Sequence, residues 1–248
     1  MELEEITRLT VAYFHGCSTN YYEPELGEMA VLILERLGFY VFIPPQLCCG
    51  LPLQSNGLMR AARQHARKNV ERLRPFAEAK IPIIGTSSSC TLSLKHDYRT
   101  ILEIEDDGVE LVGDSTFDFF EFITHNVKEE LNQLYYEPIR ARALYHPPCQ
   151  LRSHGVGTPA VQVLRLIPRL ELYISDTACC GVAGTYGVKA ERYNVAYSVG
   201  ESLYQRARDL RADFVITDSE TCRWWLTKHT NLPAFHPLEI FARSIGLT

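Results

Sequence analysis

The eight cysteines of this chain fall into two sets of four with the same order and nearly the same spacing, and few architectures satisfy that constraint. Cys17, Cys48, Cys49 and Cys90 form the first set. Cys149, Cys179, Cys180 and Cys222 form the second, at offsets of 132, 131, 131 and 132 residues. Their neighbours keep the register. Both pairs read Cys-Cys-Gly, at Cys48-Cys49-Gly50 and Cys179-Cys180-Gly181. Tyr13 precedes Cys17 as Tyr145 precedes Cys149, and Ser87-Ser88-Ser89-Cys90 aligns with Ser219-Glu220-Thr221-Cys222. Cysteines packed merely as small hydrophobes would have no reason to hold such a register. The chain is therefore expected to contain two copies of one unit, 1–125 and 126–248.

Within each copy the cysteines follow short apolar runs. Thr10–Phe14 leads to Cys17, Val41–Ile43 to the first pair, and Ile81–Gly85 to Cys90. In the second copy Ala143–Tyr145, Leu170–Ile174 and Phe214–Thr217 stand in the same places. Amphipathic stretches lie between them. In Glu25–Leu37 the residues Leu26, Met29, Ala30, Ile33 and Leu37 recur at three- and four-residue steps, and Gly38 follows as a stop. Leu58–Leu73 and Glu191–Leu210 read as longer, more solvated helices. Strands alternating with helices predict an α/β fold of two pseudo-symmetric Rossmann-like βαβ units with parallel sheets. Ligands in such folds sit beyond the carboxyl ends of the strands, where all eight cysteines are placed. The segment Ile101–Arg142 has no counterpart inside this frame. It predicts a helix over about 115–134, capped by Asp114 or Ser115. The apolar face of that helix (Phe119, Phe122, Ile123, Val127, Leu131) is expected to join the two halves.

Bulk properties exclude several function classes. A net charge of −5 leaves no electrostatic footprint for nucleic acid. No apolar run approaches the roughly 18 residues of a membrane span. The start, MELEEITRLT, lacks the basic and apolar regions of a secretory signal. The expectation is a cytoplasmic protein, where thiols stay reduced and disulfides are rare. No nucleophile–base pair, phosphate loop or dinucleotide fingerprint is present, so a relay is expected rather than a substrate site.

Four thiolates suit zinc or an iron–sulfur cluster. Adjacent side chains in an extended chain point to opposite sides, so Cys48-Cys49 and Cys179-Cys180 reach a multi-iron cluster more easily than one ion. Gly50 and Gly181 let the chain turn around it. Gly184 and Gly187, with Gly181, can bring backbone N–H groups near sulfur. A vicinal disulfide within each pair would leave the outlying cysteines unexplained. His15 and His146, beside ligand candidates, read as local structural residues, and His154 and His236 as surface or loop residues. Trp224-Trp225 either shields a cluster or packs ordinarily. Glu103, Glu105, Asp106 and Asp107 read as a solvated acidic loop, and Arg60, Arg63, Arg67, Lys68, Arg72 and Arg74 as a solvated basic face.

The segments FHGCSTNYYEPELG, CCGLPL, TSSSCT, YHPPC, CCGVAGTYGVKAERY and TDSETCRWW resemble the cysteine-rich CCG-domain family. That family includes the B subunit of heterodisulfide reductase, lactate-utilisation and glycolate-oxidase iron–sulfur subunits, and the cysteine-rich subunit of some succinate dehydrogenases. The likeness is most marked to the C-terminal half of its anaerobic glycerol-3-phosphate dehydrogenase C subunits. The resemblance implies one or two iron–sulfur clusters, of four-iron type, on the eight matched cysteines, with zinc as the alternative at the first site. It implies electron relay between a flavin dehydrogenase partner and a quinone or thiol acceptor, in an anaerobic complex at the inner face of the membrane. Ser87 and Ser219 stand where the full family motif has a further cysteine, which fits a four-ligand cluster. No C-x-x-C-x-x-C-x-x-x-C-P run occurs, so a ferredoxin-like partner subunit is expected to supply feeding clusters, or the chain is a separated domain.

Overall fold

The computed structural model describes residues 9–247, so the acidic start read above lies almost wholly outside the described residues. The chain divides into two compact units, Met1–Val127 and Lys128–Thr248. Among the described residues no helix is long and apolar enough to cross a membrane.

The first unit is built on a sheet of β1 (Thr10–Phe14), β2 (Tyr40–Phe42), β3 (Ile83–Gly85) and β4 (Thr116–Asp118), in the order β2-β1-β3-β4. The second repeats it with β5 (Ala141–Tyr145), β6 (Leu170–Ile174), β7 (Phe214–Ile216) and β8 (Ala234–Phe235), in the order β6-β5-β7-β8. Every strand pair is parallel, as expected for an internally repeated α/β chain. The register repeats too: Tyr13 faces Ile84 across β1 and β3, and Tyr145 faces Ile216 across β5 and β7.

The central strands read as apolar runs because helices cover both faces. Val11, Ala12, Ile83, Ile84, Ala143, Leu144, Val215 and Ile216 are all fully buried. Pro24–Arg36 and Met59–Glu78 are the long helices of the first unit, and Tyr193–Asp209 is that of the second. Each begins and ends close to where apolar periodicity places it.

The expected helix over 115–134 is overturned. Residues Thr116–Asp118 form β4 instead, followed by a helix Phe119–Asn126 capped by Asp118 and a separate turn of helix at Lys128–Gln133. Phe119, Phe122 and Ile123 are buried, and Phe122 packs edge-on against Phe39 and Phe117 of its own unit, with ring centroids 5.2 and 5.9 Å away. That face belongs to the first unit's own core. Nor does this segment lack a counterpart. Phe117-Asp118-Phe119-Phe120-Glu121 matches Phe235-His236-Pro237-Leu238-Glu239, where β8 leads into the helix Pro237–Ser244. Both helices open with a capping box: the first residue's side chain accepts a backbone N–H, and the glutamate reaches back to the first residue's own N–H. His236, read from sequence as a surface residue, is this cap and is buried.

Candidate metal centres

In the order β2-β1-β3-β4 the chain leaves β1 toward one side and later crosses to the other, so the switch point lies beside the carboxyl end of β1. All four cysteines of the first set lie at that end. Cys17 is in the first turn of the helix Gly16–Tyr21, directly after β1. Cys90 is in the helix Ser88–Leu92 after β3, and Cys48 and Cys49 lie between β2 and the helix Leu51–Ser55. The second unit repeats the placement, with Cys149 opening the helix Cys149–Ser153 after β5 and Cys222 in the helix Glu220–Thr230 after β7.

The thiols converge. Cys17 Sγ lies 3.6 Å from Cys48 Sγ, and Cys180 Sγ lies 3.0 Å from Cys222 Sγ. Thiol hydrogen bonds continue the first chain from Cys48 to Cys49 and from Cys49 to Cys90. In the second unit they join Cys149 to Cys179 and Cys179 to Cys180. All eight cysteines are free. Each set spans the surface: Cys49, Cys90, Cys180 and Cys222 are buried, Cys17, Cys48 and Cys179 are partly exposed, and Cys149 is exposed.

Crowding sorts the thiols by charge. Cys48 is pulled down to about 2 by hydrogen bonds from the Cys17 and Cys49 thiols, and Cys179 to about 2 by those of Cys149 and Cys180. The donating thiols are pushed up, first by those same bonds and then by burial. Accepting hydrogen bonds favours the thiolate, and a second nearby charge disfavours another. Backbone N–H groups assist: Gly50 N–H acts on Cys48, and Gly181 N–H donates to Cys179 Sγ at 3.3 Å. Both glycines are left-handed, with φ of 93° and 97°. The bend they allow brings both sulfurs of each pair together, so the pairs are not splayed as an extended backbone would have them.

The donor set fits a thiophilic metal group. It is four soft sulfurs with nothing else ligating, and Gly16 leaves room where a Cβ would stand 2.9 Å from Cys90 Sγ. Among the described residues, no three His, Cys, Asp or Glu side chains are arranged to close on a single ion.

Gly184 has a φ of 60° and open space around it, while Gly187 packs closely, its added Cβ falling 2.7 Å from the Ala196 methyl and 2.8 Å from the Val182 carbonyl oxygen. Gly187 thus serves packing of the loop. Trp224 is exposed, and Trp225 is buried with its indole N–H donating to Tyr204 Oη at 2.6 Å, which is ordinary packing. The acidic loop pairs with the basic helix, Glu103 to Arg63 and Asp106 to Arg74, at 3.4 and 3.6 Å.

Several supporting residues carry no local sequence signal. Asn69, fully buried, accepts from Leu47 N–H at 2.8 Å and directs its amide at the Leu47 and Cys48 carbonyls, both at 3.2 Å, and at Tyr98 Oη. His65 Nδ1 lies 3.3 Å from the Cys48 carbonyl. In the second unit Tyr204 takes over, its hydroxyl donating to the Cys180 carbonyl at 2.8 Å. Gly200, also overlooked, lets the helix Tyr193–Asp209 lie against the Cys180 backbone. The cysteine helices are themselves fastened by ion pairs: Lys95 to Glu121 at 2.6 Å, and Arg223 to Glu239 at 2.7 Å.

The units differ beneath the sulfurs. Tyr13 Oη bonds Thr86 Oγ1 at 3.0 Å, whereas Tyr145 Oη donates to Asp218 Oδ2 at 2.6 Å. Burial pushes the Asp218 carboxyl up to about 7. His146, where the first unit has Phe14, is wholly buried with neither ring nitrogen partnered, and burial lowers it to about 4.

Two parallel α/β units, each gathering four cysteines at its switch point, define a duplicated thiol-bearing protein. The chain belongs to the cysteine-rich domain (CCG) family, which matches it twice, over residues 11–95 and 143–227. It is 36% identical over 241 residues to the C subunit of anaerobic glycerol-3-phosphate dehydrogenase from Escherichia coli K12, covering 95% of this chain and 59% of the relative. It is 30% identical over 224 residues to an uncharacterized iron-sulfur protein of Methanocaldococcus jannaschii, covering 89% of this chain and 41% of the relative. The chain thus spans about half the length of the curated relatives it matches. The crystal structure of a hypothetical protein from Helicobacter pylori shares the fold, with a TM-score of 0.54 at 17% identity, over 96% of this chain and 49% of that one.

Proposed function

We propose that this chain is an iron–sulfur electron-transfer subunit, with Cys17, Cys48, Cys49 and Cys90 as one ligand set and Cys149, Cys179, Cys180 and Cys222 as the other. One observation carries the reading: four thiols from three separate strand ends meet, and they do so twice. A relative named as an iron-sulfur protein supports the cofactor. A relative named as part of a dehydrogenase supports a place in a multi-subunit complex, with flavin dehydrogenase and ferredoxin-like partners, a quinone or thiol acceptor, and a position at the membrane held through those partners.

A bound cluster supplies reversible electron uptake at a potential set by its surroundings. The chain's own residues do the rest. Cys49, Cys90, Cys180 and Cys222 hold the inner side away from water, and Cys17, Cys48, Cys149 and Cys179 bring the outer side toward the surface, where a partner can approach. Gly50 and Gly181 direct N–H groups at Cys48 and Cys179, stabilising negative charge on sulfur.

The test is an iron and acid-labile sulfide assay on anaerobically purified protein. About four irons per site are expected, with the Cys49→Ser/Cys90→Ser and Cys180→Ser/Cys222→Ser variants each losing one site. Stoichiometric zinc without sulfide would overturn the redox reading.

A further inference from the structure

The two sites are alike in sulfur and unlike in what lies beneath it. Phe14 and Gly85 pair across β1 and β3 at their carboxyl ends. The same register in the second unit brings His146 next to Thr217, since Tyr145 pairs with Ile216 and His146 N–H donates to the Ile216 carbonyl. An apolar pair has become a polar one. Both side chains are fully buried, and neither His146 Nδ1, His146 Nε2 nor Thr217 Oγ1 has a partner within the protein. A neutral imidazole carries one N–H donor whatever its tautomer, and a buried donor left unpaired is costly. His146 also lies within electrostatic reach of Cys179, each altering the other's ionisation.

We infer that His146 is a positioning residue of the second site, its imidazole N–H donating to the group held by Cys149, Cys179, Cys180 and Cys222, with Thr217 beside it. The first site, with Phe14 and Gly85, has no such donor. The inference rests on the cluster reading above. A donor to sulfur favours the more negative, reduced state, so the second site takes up an electron at higher potential than it otherwise would. The duplication then yields two sites of different potential from identical ligands, which gives electron flow between them a direction.

The experiment is an EPR-monitored redox titration of the anaerobically purified chain, alongside His146→Phe, which installs the first unit's residue, and His146→Gln, which keeps an N–H donor. Sulfide content is measured first, and its absence from the wild type overturns the cluster reading itself. With clusters present, His146→Phe is expected to lower the second site's reduction equilibrium about tenfold, ~59 mV for one electron. His146→Gln is expected to recover most of that shift, and the first site's signal stays in place. An unchanged potential in His146→Phe overturns the inference alone. So does an equal shift in both variants, or loss of the second cluster from both, since each marks His146 as a packing residue.

Discussion

Gly50 and Gly181 occupy the same place in the two copies, yet replacing each by alanine should have different consequences. Both have positive φ, 93° and 97°, so either alanine is strained by about 1–2 kcal/mol. At Gly50 the added methyl meets Ala62 at 3.4 to 3.7 Å, ordinary contact. At Gly181 it would lie 2.0 Å from the Ala196 carbonyl oxygen and 3.0 Å from Gly200 N. Both are backbone atoms of the helix Tyr193–Asp209 and cannot swing aside. The loop carrying Cys179 and Cys180 must lift, adding an overpacking cost of about 1–3 kcal/mol. Gly181→Ala should therefore destabilise the second unit by roughly 2–5 kcal/mol, against about 1–2 for Gly50→Ala in the first. Urea titration reads this cleanly, because both tryptophans, Trp224 and Trp225, lie in the second unit and Trp225 is buried. Tryptophan fluorescence follows that unit, and far-UV circular dichroism follows both. Equal losses in the two variants would refute the reasoning, since the close approach of loop to helix would then carry no weight.

Asn69→Ala removes the acceptor of Leu47 N–H and the donor to the Cys48 carbonyl, both in a buried place. A loss of about 2–4 kcal/mol is expected in the first unit, with weaker metal retention there. A change under ~0.5 kcal/mol, the surface range, would show that Asn69 holds nothing. Asp218 has a folded pKa near 7, above its ordinary 3.8. The folded state binds the extra proton between these values, so stability is full below about pH 4 and falls as pH rises toward 7. Asp218→Asn should flatten that part of the pH–stability curve, and an unaltered slope would count against a buried, protonated Asp218.

How much of this was legible from the sequence depended on length and repetition. The strand Leu170–Ile174 matches its apolar run residue for residue, and the cysteine frame located both sites because eight offsets agree. β4 and β8, three and two residues long, are too short to show strand alternation. The phenylalanines of 117–122 therefore read as helix. The repeated Phe-x-x-x-Glu of Phe117–Glu121 and Phe235–Glu239 was the available signal, hidden by a shorter offset than the cysteines keep. Asn69, His65 and Tyr204 are single polar residues within helices, and only the folded backbone shows what they hold. The pairing of Cys48 with Cys49 depended on a left-handed glycine, which a straight-strand argument does not contain.

Glu121 and Glu239 have a consequence that reaches past their own helices. Each carboxylate closes a cap on the last strand of its sheet and at the same time anchors the cation projecting from the cysteine-bearing helix. The fourth thiol of each set is therefore moored to the far edge of its domain. Mutational damage at that edge, well separated along the chain from any sulfur, will surface as a defect in metal chemistry.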